Sequence, residues 1–140
     1  MEQHKDRELY IEIANYRLQT AEEDLDAAKK LLQDNSIRIA NNRAYYAIYH
    51  AVSAVHALEK KAYKRHKDAI SNFNKDYIRT EIFPREFGRR IVRAEEIRHA
   101  SDYDDFYIAT REETEQMIET AEEFFVMARQ YCEQIMNERR

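Results

Sequence analysis

The stretch Asn41–Leu58, NNRAYYAIYHAVSAVHAL, decides the fold. It has neither glycine nor proline, and its residue types sort cleanly on a helix of 3.6 residues per turn. Tyr45, Ile48, Val52 and Val55 fall on one side, at the three- and four-residue spacings of a buried stripe. Arg43, Tyr46 and His50 fall on the other with Ala47, Ala54 and Ala57. Arg43 and His50, seven apart, lie about 20° from one another, two turns along one face. The first side is expected to face a helical core.

Reading outward, Gln33-Asp34-Asn35-Ser36 is a polar break whose short side chains compete for backbone hydrogen bonds, so a helical hairpin is expected there. Before it, Leu9, Ile13, Tyr16, Ala21, Leu25, Ala28 and Leu32 predict a first helix over about 8–32; the second runs from Ser36 to about Lys60. A third carries Ile70, Phe73, Tyr77 and Ile78. Pro84 is tolerated in a first helical turn, where its missing N–H has no intrahelical partner, and predicts a fourth helix ending near His99. Ser101–Asp105 is read as a polar loop. Thr110-Arg111-Glu112-Glu113 has the form of a capping box opening a last helix to about Asn137. Its stripe includes Met117, Ala121, Phe124, Phe125, Ala128, Tyr131, Cys132 and Ile135. The expectation is an all-α, up-and-down bundle of four to five helices, one domain over residues 1–140.

Composition agrees. The 140 residues include one Gly and one Pro, too few for the many tight turns of a sheet protein, and 36% are charged. A net charge of −4 provides no global field for nucleic acid, so any anion site must be local. The lone Cys132 cannot form an intrachain disulfide, and no apolar run approaches the ~18 residues that would span a bilayer, so a soluble cytoplasmic protein is expected. No histidine pair has i, i+4 ligand spacing and no HExxH is present, so no metal or other cofactor is predicted. Gly88 alone cannot make a glycine-rich phosphate loop.

An arginine and a histidine among small residues form an unusual face, since both need partners once another helix approaches. A symmetric copy would supply them, bringing two Arg43 and two His50 into one cleft. Such a cleft has the parts for cutting RNA: a histidine to move the 2′-hydroxyl proton, an arginine for the phosphate oxygens, and Tyr46 to stack on a base or donate to phosphate. The same face also fits a solvated or salt-bridged surface. His66 sits in a basic run, Lys60-Lys61-Ala62-Tyr63-Lys64-Arg65-His66-Lys67, which reads as phosphate contacts near the cleft or as a solvated turn. Arg98 and Asp102, four apart, suit a helix-surface ion pair.

The segment Asn42-Arg43-Ala44-Tyr45-Tyr46-Ala47-Ile48-Tyr49-His50-Ala51 closely resembles the second-helix signature of small prokaryotic HEPN domain proteins. His66-Lys67 with Phe73-Asn74, Phe83-Pro84-Arg85-Glu86, Arg98 with Asp102-Tyr103, and Ala121-Glu122-Glu123-Phe124 are similar to its later landmarks. The resemblance implies a helical, usually dimeric bundle. Its active members cut RNA without a metal through an arginine and a histidine separated by four to six residues, here Arg43 and His50. Around these two, Asn42, Tyr46 and His66 are the candidate substrate-binding residues, with Arg98 and Asp102 as structural, secondary ones. Many members act as toxins or as partners of a minimal nucleotidyltransferase, so that partner is a further expectation, as is a non-catalytic nucleotide-binding role beside it. Two positions depart. Ala44 stands where the ribonucleases often carry a polar residue. Val52 stands where toxins silenced by nucleotide transfer carry a tyrosine.

Overall fold

The structure, a computed structural model, describes residues Glu2–Arg139, with side chains from Lys5 onward. Five α-helices follow one another: α1 Glu2–Gln33, α2 Ile37–Leu58, α3 His66–Phe73, α4 Glu86–Tyr103 and α5 Arg111–Arg139. A π-helical turn, Asn74–Ile78, continues α3. The architecture is an all-α bundle, as the periodicity predicts. No helix among the described residues is long and apolar enough to cross a membrane.

The α1–α2 hairpin closes as its polar sequence suggests, through backbone geometry. Asn35 adopts a left-handed φ of 62°, a conformation asparagine tolerates better than most residues. The Ser36 amide then donates to Leu31 O at 2.8 Å and the Asn35 amide to Leu32 O at 3.0 Å, the paired bonds that end a helix in a Schellman turn. Arg111, opening α5, donates to Leu32 O at 3.1 Å and Asn35 Oδ1 at 2.9 Å, tying that end of the bundle together. Lys60 closes α2 in the same left-handed way, its amide on Ala57 O and the Lys61 amide on His56 O.

Helices α1 and α2 pack through alanine. Ala14, Ala21 and Ala28 of α1 and Ala40, Ala44, Ala47, Ala51 and Ala54 of α2 are fully buried, which lets the two backbones approach closely. This corrects the expectation that a symmetric copy covers the alanine face of α2: Ala47 and Ala54 are fully buried within the chain, on the side where Arg17 and Asp24 of α1 reach Ser53 and Arg43. The predicted core side is borne out, with Tyr45, Ile48, Val52 and Val55 all buried. Beneath them Phe73, Phe83, Phe87 and Phe124 stack edge and face at 5.4–6.0 Å.

Two boundaries differ from the sequence reading. Helix α1 starts six residues earlier than Glu8, at Glu2. Helix α4 runs past His99 through Ser101-Asp102-Tyr103, so these residues are its last turn rather than a loop. The reason lies in Arg98, whose Nε pairs with Asp102 Oδ2 at 3.0 Å across one turn and stabilises the extra residues as helix. The capping box forms as predicted: the Glu113 amide donates to Thr110 Oγ1 at 3.0 Å and the Thr110 amide to Glu113 Oε1 at 3.1 Å.

Candidate functional site

Arg43 and His50 share one acid from the neighbouring helix. Asp24 of α1, only 8% exposed, receives a hydrogen bond from Arg43 Nη1 on Oδ1 at 3.0 Å. Its Oδ2 lies 3.6 Å from His50 Nε2, an ion-pair separation rather than a hydrogen bond. The partners expected from a second copy are thus supplied within the chain. Asn42 completes the arginine's setting, its Oδ1 accepting from Arg43 Nη2 at 2.7 Å. The Arg43 and His50 side chains remain 37% and 30% exposed, so both face solvent while anchored from below.

The remaining predicted residues gather around Tyr46. Its ring lies 5.0 Å from the Arg43 guanidinium and 5.9 Å from that of Arg98, so cations lie close to its π-system. Arg98 Nη2 also donates to its hydroxyl at 3.4 Å. His50 and His66 stand 6.0 and 5.7 Å from the same ring. His66 is not a solvated turn residue: it stacks on Tyr49 at 3.8 Å, and its Nδ1 lies 2.8 Å from the hydroxyl of buried Tyr45. The lysines and arginine around it, Lys60, Lys64, Arg65 and Lys67, stay exposed, and Lys61 pairs with Asp76 at 3.0 Å. The fold therefore brings Arg43, Asn42, Tyr46, His50, His66, Arg98 and, through Arg98, Asp102 into one continuous patch.

Electrostatics set the protonation of this patch. Partial burial pulls His50 below the ordinary histidine range; Asp24 pulls the other way, and Arg17 and Arg43 reinforce the drop. His66 is lowered too, first by burial and then by the charges of Arg98 and His50. Both imidazoles are held toward the neutral form; His50 keeps a ring nitrogen to accept a proton, whereas the Tyr45 hydroxyl occupies His66 Nδ1. Burial pushes the Tyr45 hydroxyl far up, so it stays protonated against His66.

Two residues at the site escape the motif reading. Asp24 interrupts the apolar stripe Ala21, Leu25, Ala28 of α1, and a carboxylate on a core-facing stripe is the signal that marks it. Arg17, one position before buried Leu18, donates to the Ser53 carbonyl at 3.0 Å and reaches the His50 end of the patch. Two hollows open at the ends of the motif. One, of about 190 Å³, is lined by Arg17, Tyr49, His50, Ser53 and His56 among others. The other, of about 260 Å³, lies beyond Asn42 and Arg98.

A two-helix hairpin bearing arginine and histidine on one face, inside a five-helix bundle, defines a class that the comparisons identify. Residues 14–131 match the HEPN domain family, and the chain belongs to that family. It is similar to a UPF0332 protein of Thermotoga maritima, 31% identical over 112 residues that cover 80% of this chain and 85% of that one. It is also similar to two proteins of Methanocaldococcus jannaschii. "Putative toxin MJ0605" is 34% identical over 76% of this chain and 79% of its own length, and "Putative toxin MJ0142" 25% identical over 81% and 78%.

Proposed function

We propose that the chain is a toxin-type RNA-binding protein that cleaves RNA at the Arg43–His50 face without a metal. The observation that carries this reading is the shared Asp24 anchor, which holds a neutral imidazole and a guanidinium side by side at the surface. Names given to two of its relatives support the toxin role.

The chemistry follows from the atoms present. His50 takes the proton of a 2′-hydroxyl as the 2′-oxygen attacks phosphorus, and Asp24 stabilises the imidazolium that results. Arg43 donates to the non-bridging oxygens as charge accumulates on them. The P–O5′ bond breaks, leaving a 2′,3′-cyclic phosphate and a 5′-hydroxyl. The His50 imidazolium then gives this same proton to the leaving 5′-oxygen, which restores the neutral imidazole. The exposed rims of Arg43 and His50, rather than the buried alanines, are where two copies meet in this reading.

One observation favours a second reading. Both terminal nitrogens of Arg43 are engaged, by Asp24 and by Asn42, which suits a site that holds nucleotide for a nucleotidyltransferase partner without cutting. Incubating the purified chain with single-stranded RNA separates the two. Cleavage with cyclic phosphate ends, lost in His50→Ala and Arg43→Ala, is the expected result. Intact RNA, or equal cleavage by both variants, overturns the ribonuclease; copurification with a nucleotidyltransferase then supports the second reading.

A further inference from the structure

The charges of α4 run against the field of their own helix. A helix starts at its positive dipole end and finishes at its negative one, so acids suit its start and bases its finish. Here the order is reversed. From Arg79 to Arg93 the chain has five arginines and two glutamates; from Glu95 to Asp105 it has two glutamates and three aspartates against one arginine. Only Glu86 suits the dipole at the start, and the last turn has no base. The helix gains nothing from this arrangement, so its reason lies outside the helix.

The two halves share one outward face. Arg85, Arg89, Val92, Glu96, His99 and Tyr103 recur at threes and fours opposite buried Phe87, Ile91, Ala94 and Ile97. At the basic end Arg79, Arg85, Arg89 and Arg93 rim a shallow hollow with Ile78 and Val92 in its wall. Arg93 is engaged by Glu96 at 3.7 Å and Glu113 at 3.4 Å. The Arg85–Glu81 pair, at 2.9 Å, is exposed and therefore weak, and Arg79 and Arg89 make no ion pair among the described residues. At the acidic end Phe106 is 94% exposed and Tyr103 70%. A built turn holds Phe106 out: its amide donates to Asp104 Oδ1 at 3.0 Å, the Tyr107 amide to Asp104 O at 3.1 Å, and the Tyr107 hydroxyl to Glu113 Oε2 at 2.7 Å. A fixed, exposed aromatic ring beside acids is a preorganised anchor.

Each end of this face carries what the other lacks. We propose that the outer face of α4 binds the same face of a second copy, antiparallel across a two-fold axis at the charge boundary between Arg93 and Glu95. The pairing sets Asp104 and Asp105 of each copy beside Arg79 and Arg85 of the other, with Phe106 at the hollow those arginines rim. A second copy is the occupant that requires both halves, because a two-fold contact must be complementary to itself. The contact is separate from the one at Arg43 and His50. Arg98, which donates to Tyr46, points about 140° around the helix from Tyr103, so the Arg43–His50 patch stays uncovered and the α4 contact forms whether or not that patch cuts RNA.

A charge exchange tests it in the full chain. One variant carries Arg79→Glu with Arg85→Glu; the other carries Asp104→Asn, which keeps an acceptor for the Phe106 amide, with Asp105→Arg. All four positions are exposed, and circular dichroism checks that each variant keeps its helices. The readout is Val92→Cys, placed beside the axis and joined to its own copy by a short bis-maleimide, since the natural Cys132 is buried out of reach. The otherwise unaltered chain should crosslink, less so as salt rises. Each charge variant alone sets like charges together and should crosslink on the order of tenfold or more weakly; an equal mixture of the two sets unlike charges at both ends and should restore the product. No crosslink in the unaltered background, full crosslinking by either variant alone, or a mixture that fails to restore it overturns the contact. Crosslinking with intact RNA would sink the ribonuclease and spare the α4 contact, and cleavage without crosslinking would do the reverse.

Discussion

At the scale of single residues the site turns on Asp24. A carboxylate nine-tenths buried on an alanine interface is costly unless paired, and here it meets two partners that remain partly in water. Replacing it by asparagine keeps the shape and removes the charge. Because Asp24 raises the His50 pKa against burial, Asp24→Asn should lower that pKa further and move the acid limb of the cleavage profile to lower pH. The rate should fall on the order of 10- to 100-fold as Arg43 and His50 lose their common anchor. A pH–rate profile measured beside a histidine NMR titration checks both; an unmoved acid limb contradicts the positioning role. Motif reading found His50 and Arg43 because both lie on one helix at a countable spacing. It missed Asp24 because the acid comes from another helix, and sequence spacing carries no information about which turn of α1 lies opposite which turn of α2.

At the scale of elements, the helices were legible where local chemistry decides and shifted where a side chain reaches beyond its own turn. The capping box of α5 is local: Thr110 and Glu113 satisfy one another's amides within four residues, so it could be read directly. Thr110→Ala should cost about 1 kcal/mol, visible as a lowered melting temperature, with the Arg43–His50 patch undisturbed. An unchanged melt would mean the box is not holding α5. The end of α4 was misplaced because the run Ser101–Asp105 looks like a turn by composition. Asp102 is spoken for by Arg98, and Arg98 in turn is held by Tyr46 of α2. That long-range tether overrides local preference. The alanine face of α2 was misassigned for a related reason. Small residues announce close approach of a backbone without saying whose.

At the scale of the molecule, three histidines among the described residues are held below their ordinary range, His50, His56 and His66, each by burial first. His56 is the clearest, lowered from 6.5 to about 4 amid Tyr63, Phe73 and Tyr77. Below about pH 6.5 the unfolded chain takes up a proton that folded His56 refuses, so stability falls as the pH drops and the loss is complete near pH 4. For His56 alone this amounts to about 3 kcal/mol. Melting temperatures should therefore be flat above neutrality and decline through mild acid. His56→Phe, which suits the aromatic surroundings, should flatten the decline; an identical slope in the variant would rule out His56 as its source.

The Asp24 bridge also couples two properties that are often selected separately. The ion pairs that lock the first helix onto the second are made by the same nitrogens that would receive a phosphate. On the proposed function a substrate anion would compete with the carboxylate for Arg43, so tight binding would draw on the energy that holds the helical hairpin shut. Variants chosen for heat resistance should accumulate contacts to Asp24 and lose affinity for polyanions. Variants chosen for affinity should melt earlier, beginning with the slippage of α1 along α2.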